Sequence, residues 1–145
     1  MSRSKPDRLL VWCSLLFVLL AVQSVSKPFR SNEHLGFVLL GERTDGLTEA
    51  VAAPVHAALM LALAYGIWRM KRYALWIIGP YALYVVLNIS LYALRYGLNW
   101  DSIAPPPFSS SPALAFGFLG VFLLLALGVP FGTAHRLFER RDELS

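Results

Sequence analysis

The chain has 145 residues, 57% of them apolar and only 15% charged, with a mean hydropathy of +0.55. Soluble domains carry about 25% charged residues, so this composition excludes an ordinary soluble fold. The formal net charge of +4 comes from basic residues gathered between long uncharged runs, with no basic stripe and interleaved exposed aromatics of the kind that binds nucleic acid.

Taken in chain order, the first uncharged run is 9–25, which is short for a span at 17 residues. It also fits a signal peptide, with MSRSKPDR as the basic n-region, LLVWCSLLFVLLAV as the apolar h-region and Ser24-Val25-Ser26 as a small-residue cleavage site. The span reading is the one carried forward. Cys13 lies in this run and is the single cysteine, so an intramolecular disulfide and a CxxC metal or redox motif are both excluded. An external loop over 26–47 follows. Within it GFVLLG (36–41) is too short to cross a bilayer and reads as a strand or as a segment dipping into the interface, while Asp45-Gly46 is the strongest turn signal.

The runs 48–68, 73–94 and 112–133 each have the roughly 20 residues that cross about 30 Å of hydrocarbon as a helix. None alternates in polarity as a barrel strand does. Thr48 is placed to cap the second span, with Glu49 beside the positive end of its dipole. The turn at 69–72 is tight enough to make the second and third spans an antiparallel hairpin. A second external loop, 95–111, carries Asn99, Trp100 and the stiff run Pro105-Pro106-Pro107. The tail 134–145 reads as a charged continuation of the last helix. The expected fold class is therefore all-α: a single integral membrane domain over 1–145, a four-helix bundle with one ordered external loop between the first two spans.

Orientation follows from the basic residues. Nine of them (Arg3, Lys5, Arg8, Arg69, Lys71, Arg72, Arg136, Arg140 and Arg141) fall on one side and four (Lys27, Arg30, Arg43 and Arg95) on the other. The richer side is cytoplasmic by the positive-inside rule, which predicts cytoplasmic termini in a bacterial inner membrane. Trp12, Trp68, Trp76 and Trp100 all lie near proposed boundaries, where interfacial aromatics belong. Ala53/Ala57 in the second span, and Gly117, Gly120, Gly128 and Gly132 in the fourth, are small residues at spacings that let helices approach closely. Pro54, Pro80 and Pro130 are candidate bends.

The third span carries a polar stripe. Tyr81, Tyr84, Asn88, Tyr92 and Arg95 follow one another at spacings of 3, 4, 4 and 3, which places them on one helical face. On the second span Glu49, Ala53, His56 and Met60 share a face by the same rule. In an ideal antiparallel hairpin residue n lies level with about 141 − n. His56 is then expected within a turn of Tyr84 and Asn88, and Glu49 opposite Tyr92 and near Arg95. Polar groups at such depth need partners. They can form a structural hydrogen-bond cluster, at about 0.6–2 kcal/mol per interhelical bond, or line a path for a solute or protons.

Sharper chemistry is not carried. His34, His56 and His135 fall in an external loop, a span and a cytoplasmic end, so they share no metal, and His56 with Met60 on one helix cannot clamp a haem. Asn88-Ile89-Ser90 fits the glycosylation pattern but lies within a span, and no GxSxG, HExxH or P-loop occurs. Small multidrug transporters resemble the chain in size and helix number, yet their first-span carboxylate has no counterpart here, where only Gln23 is polar and long. The vitamin K reductase type of bundle needs paired cysteines. The segments GERTDG, YGIWRMKRYAL and YALYVVLN together resemble small uncharacterised bacterial integral membrane proteins with four spans, a likeness over about 36–95 that brings no function with it. The expected function is non-enzymatic: an accessory subunit of a larger membrane complex or a small homo-oligomer. The alternative is a small-solute or proton transporter with a polar path between the second and third spans. The expected partners are the lipid bilayer and other membrane subunits or a second copy, with no cofactor, no metal and no nucleic acid.

Overall fold

Each uncharged run becomes a helix because a backbone in hydrocarbon must satisfy its own hydrogen bonds. A computed structural model describes residues 6–26, 37–44, 46–97 and 110–145. The expectations for Arg3, Lys5, Lys27, Arg30, His34, Asp45, Asn99, Trp100 and the three consecutive prolines lie outside those residues. The helices are α1 (Arg8–Ser26), α2 (Gly46–Trp68), α3 (Arg72–Tyr96) and α4 (Pro112–Glu139). All four are long and apolar enough to cross a membrane, and the fold is an all-α four-helix bundle. Pro54, Pro80 and Pro130 sit inside continuous helices. α2 opens at Gly46 with a left-handed φ of +52°, so Thr48 falls within the first turn rather than at the cap, and Glu49 is the acidic residue of that turn.

The loop before α2 contains two short antiparallel strands, β1 (Phe37–Leu39) and β2 (Glu42–Thr44). They pair Phe37 with Thr44, Val38 with Arg43 and Leu39 with Glu42. The two residues between the strands, Leu40 and Gly41, have φ of +50° and +75°, the positive pair that a tight hairpin turn requires.

α1 lies antiparallel along α2. Ser14 Oγ donates to the Ala64 carbonyl at 2.9 Å and Ser24 Oγ meets His56 Nδ1 at 2.9 Å, so one helix runs up as the other runs down. Leu10, Phe17 and Ala21 of α1 join Ala57, Met60, Leu63, Ala64 and Ile67 of α2 in one buried cluster. α2 and α3 touch most closely beside their turn. A Cβ on Gly66 would lie 2.8 Å from the Tyr73 ring and 2.9 Å from the Ala74 Cβ, so only glycine allows that approach. α3 in turn packs against α4.

One end of the bundle is tied shut. α2 ends with Met70 at φ +51°, and Lys71 N–H donates to the Gly66 carbonyl at 2.8 Å while Met70 N–H donates to the Ile67 carbonyl at 3.2 Å. This is the left-handed helix stop in which glycine is usual. Methionine stands there because its side chain is buried, 1% exposed, among Leu10, Leu137 and Leu144. The last residues fold back over this turn. Ser145 N–H donates to the Met70 carbonyl at 2.9 Å and Arg72 N–H donates to the Ser145 carbonyl at 3.1 Å. A main-chain carbonyl thus caps a first-turn N–H of α3 that the uncapping Lys71 side chain leaves open. Asp7 caps α1 by accepting from Leu10 N–H at 2.9 Å, and its carboxylate also pairs with Arg136 of α4 at 3.4 Å. The start of α1, the α2–α3 turn and the residues after α4 therefore meet at one end. Trp12, Trp68 and Trp76 ring that end, 66%, 51% and 79% exposed, as an interfacial aromatic belt does.

Leu144 is 5% exposed and closes this end of the core. Leu144→Ala should therefore lower stability by about 2–5 kcal/mol, read as a lower midpoint of thermal unfolding in mild detergent. Asp142→Ala, on the exposed side of the same turn, should leave the midpoint unchanged.

Candidate functional site

The polar stripe of α3 is used along its whole length, from the middle of the bundle to its untied end. At its lowest member, the Tyr81 hydroxyl lies 3.3 Å from His56 Nε2. The Tyr81 ring stands edge-on to Phe17 of α1, with centroids 6.3 Å apart. Protons in this group can be assigned from the inventory of donors. Ser24 has one hydroxyl proton, and its Oγ donates to the Leu20 carbonyl at 2.8 Å. Ser24 can then only accept from His56, which fixes the Nδ1–H tautomer and leaves Nε2 to accept from the Tyr81 O–H. A chain of three hydrogen bonds, Tyr81 to His56 to Ser24 to Leu20, ties α3, α2 and α1 together and ends on a backbone carbonyl.

Further out, the partners change. The Tyr84 ring lies beside that of Tyr81, with centroids 6.4 Å apart. Asn88 accepts from Gly41 N–H at 2.8 Å through Oδ1 and donates to the Val38 carbonyl at 3.1 Å through Nδ2. One side-chain amide thereby stands in for a neighbouring strand. Arg43 donates from Nε and Nη2 to the Tyr92 hydroxyl at 3.0 and 2.8 Å, and its guanidinium lies 5.8 Å from the Tyr92 ring centroid and 6.0 Å from that of Tyr96. Arg95 pairs with Glu42 at 3.3 Å, an exposed pair worth roughly 0–1 kcal/mol. Three of the five stripe residues, Asn88, Tyr92 and Arg95, thus hold the β-hairpin onto α3.

This differs from direct pairing between α2 and α3. His56 meets Tyr81 rather than Tyr84 or Asn88, and the partners of Tyr92 and Arg95 are Arg43 and Glu42 rather than Glu49. The physical reason is the hairpin, which touches both helices and occupies the space where depth matching assumed contact. Asn88 has both amide atoms engaged inside a span, so its glycosylation pattern is spent on the fold.

Gly41 makes the docking possible. A Cβ there would lie 2.6 Å from the Leu91 carbonyl carbon and 2.7 Å from the Tyr92 nitrogen. Only a residue without a side chain lets the turn rest on the backbone of α3.

Where the hairpin holds α2 and α3 apart, a groove of about 920 Å³ opens between them. Leu47, Thr48, Val51, Ala52, Val55, His56 and Leu59 of α2 form one wall, and Trp76, Ile77, Pro80, Tyr81 and Tyr84 of α3 the other, with Leu39 of β1 above. Polar atoms appear only at its floor and rim.

The small-residue positions divide into two kinds. Ala53 and Ala57 are 0% and 3% exposed on the face of α2 that α1 covers. Beyond their own helix, Gly117, Gly120, Gly128 and Gly132 of α4 have no atom of the described residues within 4 Å of where a Cβ would stand. Sequence reasoning missed Ser14, Ser24, Gly41, Glu42 and Arg43. Ser24 carried a signal, a hydroxyl on an otherwise apolar helix, but the adjoining small residues read as a cleavage site. Among the described residues, no three His, Cys, Asp or Glu side chains gather closely enough to hold a metal ion. Comparison with protein-family models, curated proteins and solved structures finds no match for this chain.

Gly41→Ala combines left-handed strain, of order 1–3 kcal/mol, with a clash against α3. It should unseat the hairpin, so that trypsin cuts after Arg43 faster than in the wild type. Gly97→Ala also changes a positive-φ glycine, at +68°, but one with open space around it, and should leave Arg43 protected.

Proposed function

We propose that the chain is a non-enzymatic integral membrane protein acting as an accessory subunit of a larger membrane complex or as a small homo-oligomer. The observation that carries this reading is α4. Only 11% of its apolar window is buried, against 39% for α2, and its four glycines meet no other element among the described residues. Between helices in a bilayer, association depends on close backbone approach rather than on a hydrophobic driving force. A helix that leaves four such positions open is suited to a neighbouring helix from another subunit or a second copy.

A transport path between α2 and α3 is less favoured. Tyr81, Asn88, Tyr92 and Arg95 all have partners within the protein, and the groove beside them is apolar. A bacterial inner membrane with both termini cytoplasmic fits the basic residues, nine of which fall toward one side, and the gathering of Asp7 and Ser145 at the tied end.

Two measurements test this reading. Gly128→Leu and Gly132→Leu should each shift the assembly purified from native membranes in mild detergent to smaller mass by more than Leu124→Ala does, because they push backbones apart where the alanine only trims a side chain of the same face. Equal mass profiles for all three would turn the glycine face toward lipid and remove the main support. For orientation, a reporter fused after Ser145 should behave as cytoplasmic and one inserted at Ser110 as external. Both on one side would overturn the topology.

A further inference from the structure

We propose that the groove between α2 and α3 is a lateral site for a hydrocarbon chain of a membrane lipid. This goes beyond assembly and does not depend on it, because the groove and the glycines of α4 lie on different helices. Its walls are Val51, Val55 and Leu59 of α2 with Ile77 and Pro80 of α3, and Leu39 of the hairpin forms its ceiling. Both helices are long and apolar enough to span, so what lies outside the groove is the bilayer interior. The mouth is wide, since Val51, Val55 and Trp76 at its edges are 59%, 65% and 79% exposed.

The chemistry of the floor selects the occupant. A water or a polar solute held there would need two to four polar partners. His56 has both ring nitrogens engaged, and Tyr81 has given its proton to His56. These groups ask for nothing further, and an apolar chain can lie over their rings without stranding a polar atom. An unfilled recess would forfeit dispersion contacts along both walls. Size disfavours a helix as occupant. With a diameter of about 10 Å and a rise of 1.5 Å per residue, roughly eight helical residues would fill 920 Å³, well under half a span. A flexible chain fits, and the volume lies within the roughly 300–1,000 Å³ of small-molecule sites.

The test places a photoreactive benzoylphenylalanine at Val55, and separately at Val51, in the full chain in its native membrane. A control carries it at Leu19 on α1, 63% exposed and outside the groove. After irradiation and purification, intact-protein mass spectrometry reads what has been captured. Adducts of lipid mass should be several-fold more abundant at Val55 and Val51 than at Leu19, and Ile77→Trp, which fills the recess from the opposite wall, should bring the Val55 yield down to the control. Equal yields at all three positions, none included, would mean only the lipid that coats any span and would overturn the site. Adducts at Val55 and Val51 with a second copy or another polypeptide would overturn it in favour of a protein-filled groove.

Discussion

Asn88 binds the Gly41 N–H and the Val38 carbonyl with its two amide atoms, and the outer half of the molecule is arranged around that pair of bonds. A polar side chain on a membrane helix is costly when it lacks partners, and so are the backbone groups of an isolated hairpin turn. Each deficit satisfies the other. The remaining contacts follow from the register this sets. With Gly41 resting on Leu91, β2 runs toward the end of α3, which brings Arg43 to Tyr92 and Glu42 to Arg95. The strain of Leu40 at φ +50° is sustained by the same anchorage, and so is the position of Leu39 over the groove.

The two ends of the bundle are stabilised by different means. At the tied end, close backbone approach at Gly66, the buried Met70 and Leu144 and the main-chain cap from Ser145 bring the helices into direct contact. Contact there is a matter of shape, and lost methylenes are the way to weaken it. Toward the other end, α2 and α3 are spanned by side chains and by the hairpin, and the Ser24–His56–Tyr81 chain is the last direct link across three helices. Charge follows the same division. Asp7, Arg136, Glu139, Arg140 and Glu143 form a network at the tied end, where headgroups and water can solvate what the network does not.

Residue periodicity was enough to read the helices and the face of α3 that is polar. Charge-free length marks a span almost by itself, so the helix bounds differ from the expected ones by a residue or two, apart from α4, which runs through the charged segment to Glu139. The partners of the polar face were not legible, because depth matching treats two helices joined by a tight turn as touching throughout. Nothing in GFVLLG announces that it will wedge them apart. Its turn uses Leu40 in a left-handed conformation, which local preference argues against and only the tertiary contact sustains. The clasp at the tied end was illegible for a related reason. It consists largely of main-chain bonds from Ser145, and any residue could donate or accept them. Close approach was read from GxxxG spacing on α4, whereas the glycine that the chain itself uses between helices is Gly66, fixed by the sharpness of the turn beside it.

The fate of the polar stripe also bears on how the surface of the protein divides. A stripe that lined a path would leave groups able to exchange partners with a passing solute. Here the Tyr81 proton is directed to His56, that of His56 to Ser24, and that of Ser24 to the Leu20 carbonyl, where the chain stops. A proton entering at Tyr81 has no further acceptor along that route, since a backbone carbonyl cannot pass it on. Ser24, His56, Tyr81 and Asn88 are therefore engaged in holding α1, α2, α3 and the hairpin as one unit. What that unit offers its surroundings is apolar: a recess between α2 and α3 shaped for something flexible, and an α4 face of open glycines shaped for something rigid. Under the two proposals those shapes take different neighbours, a hydrocarbon chain in the first and a helix against the second, and the two are compatible because they are carried on separate helices.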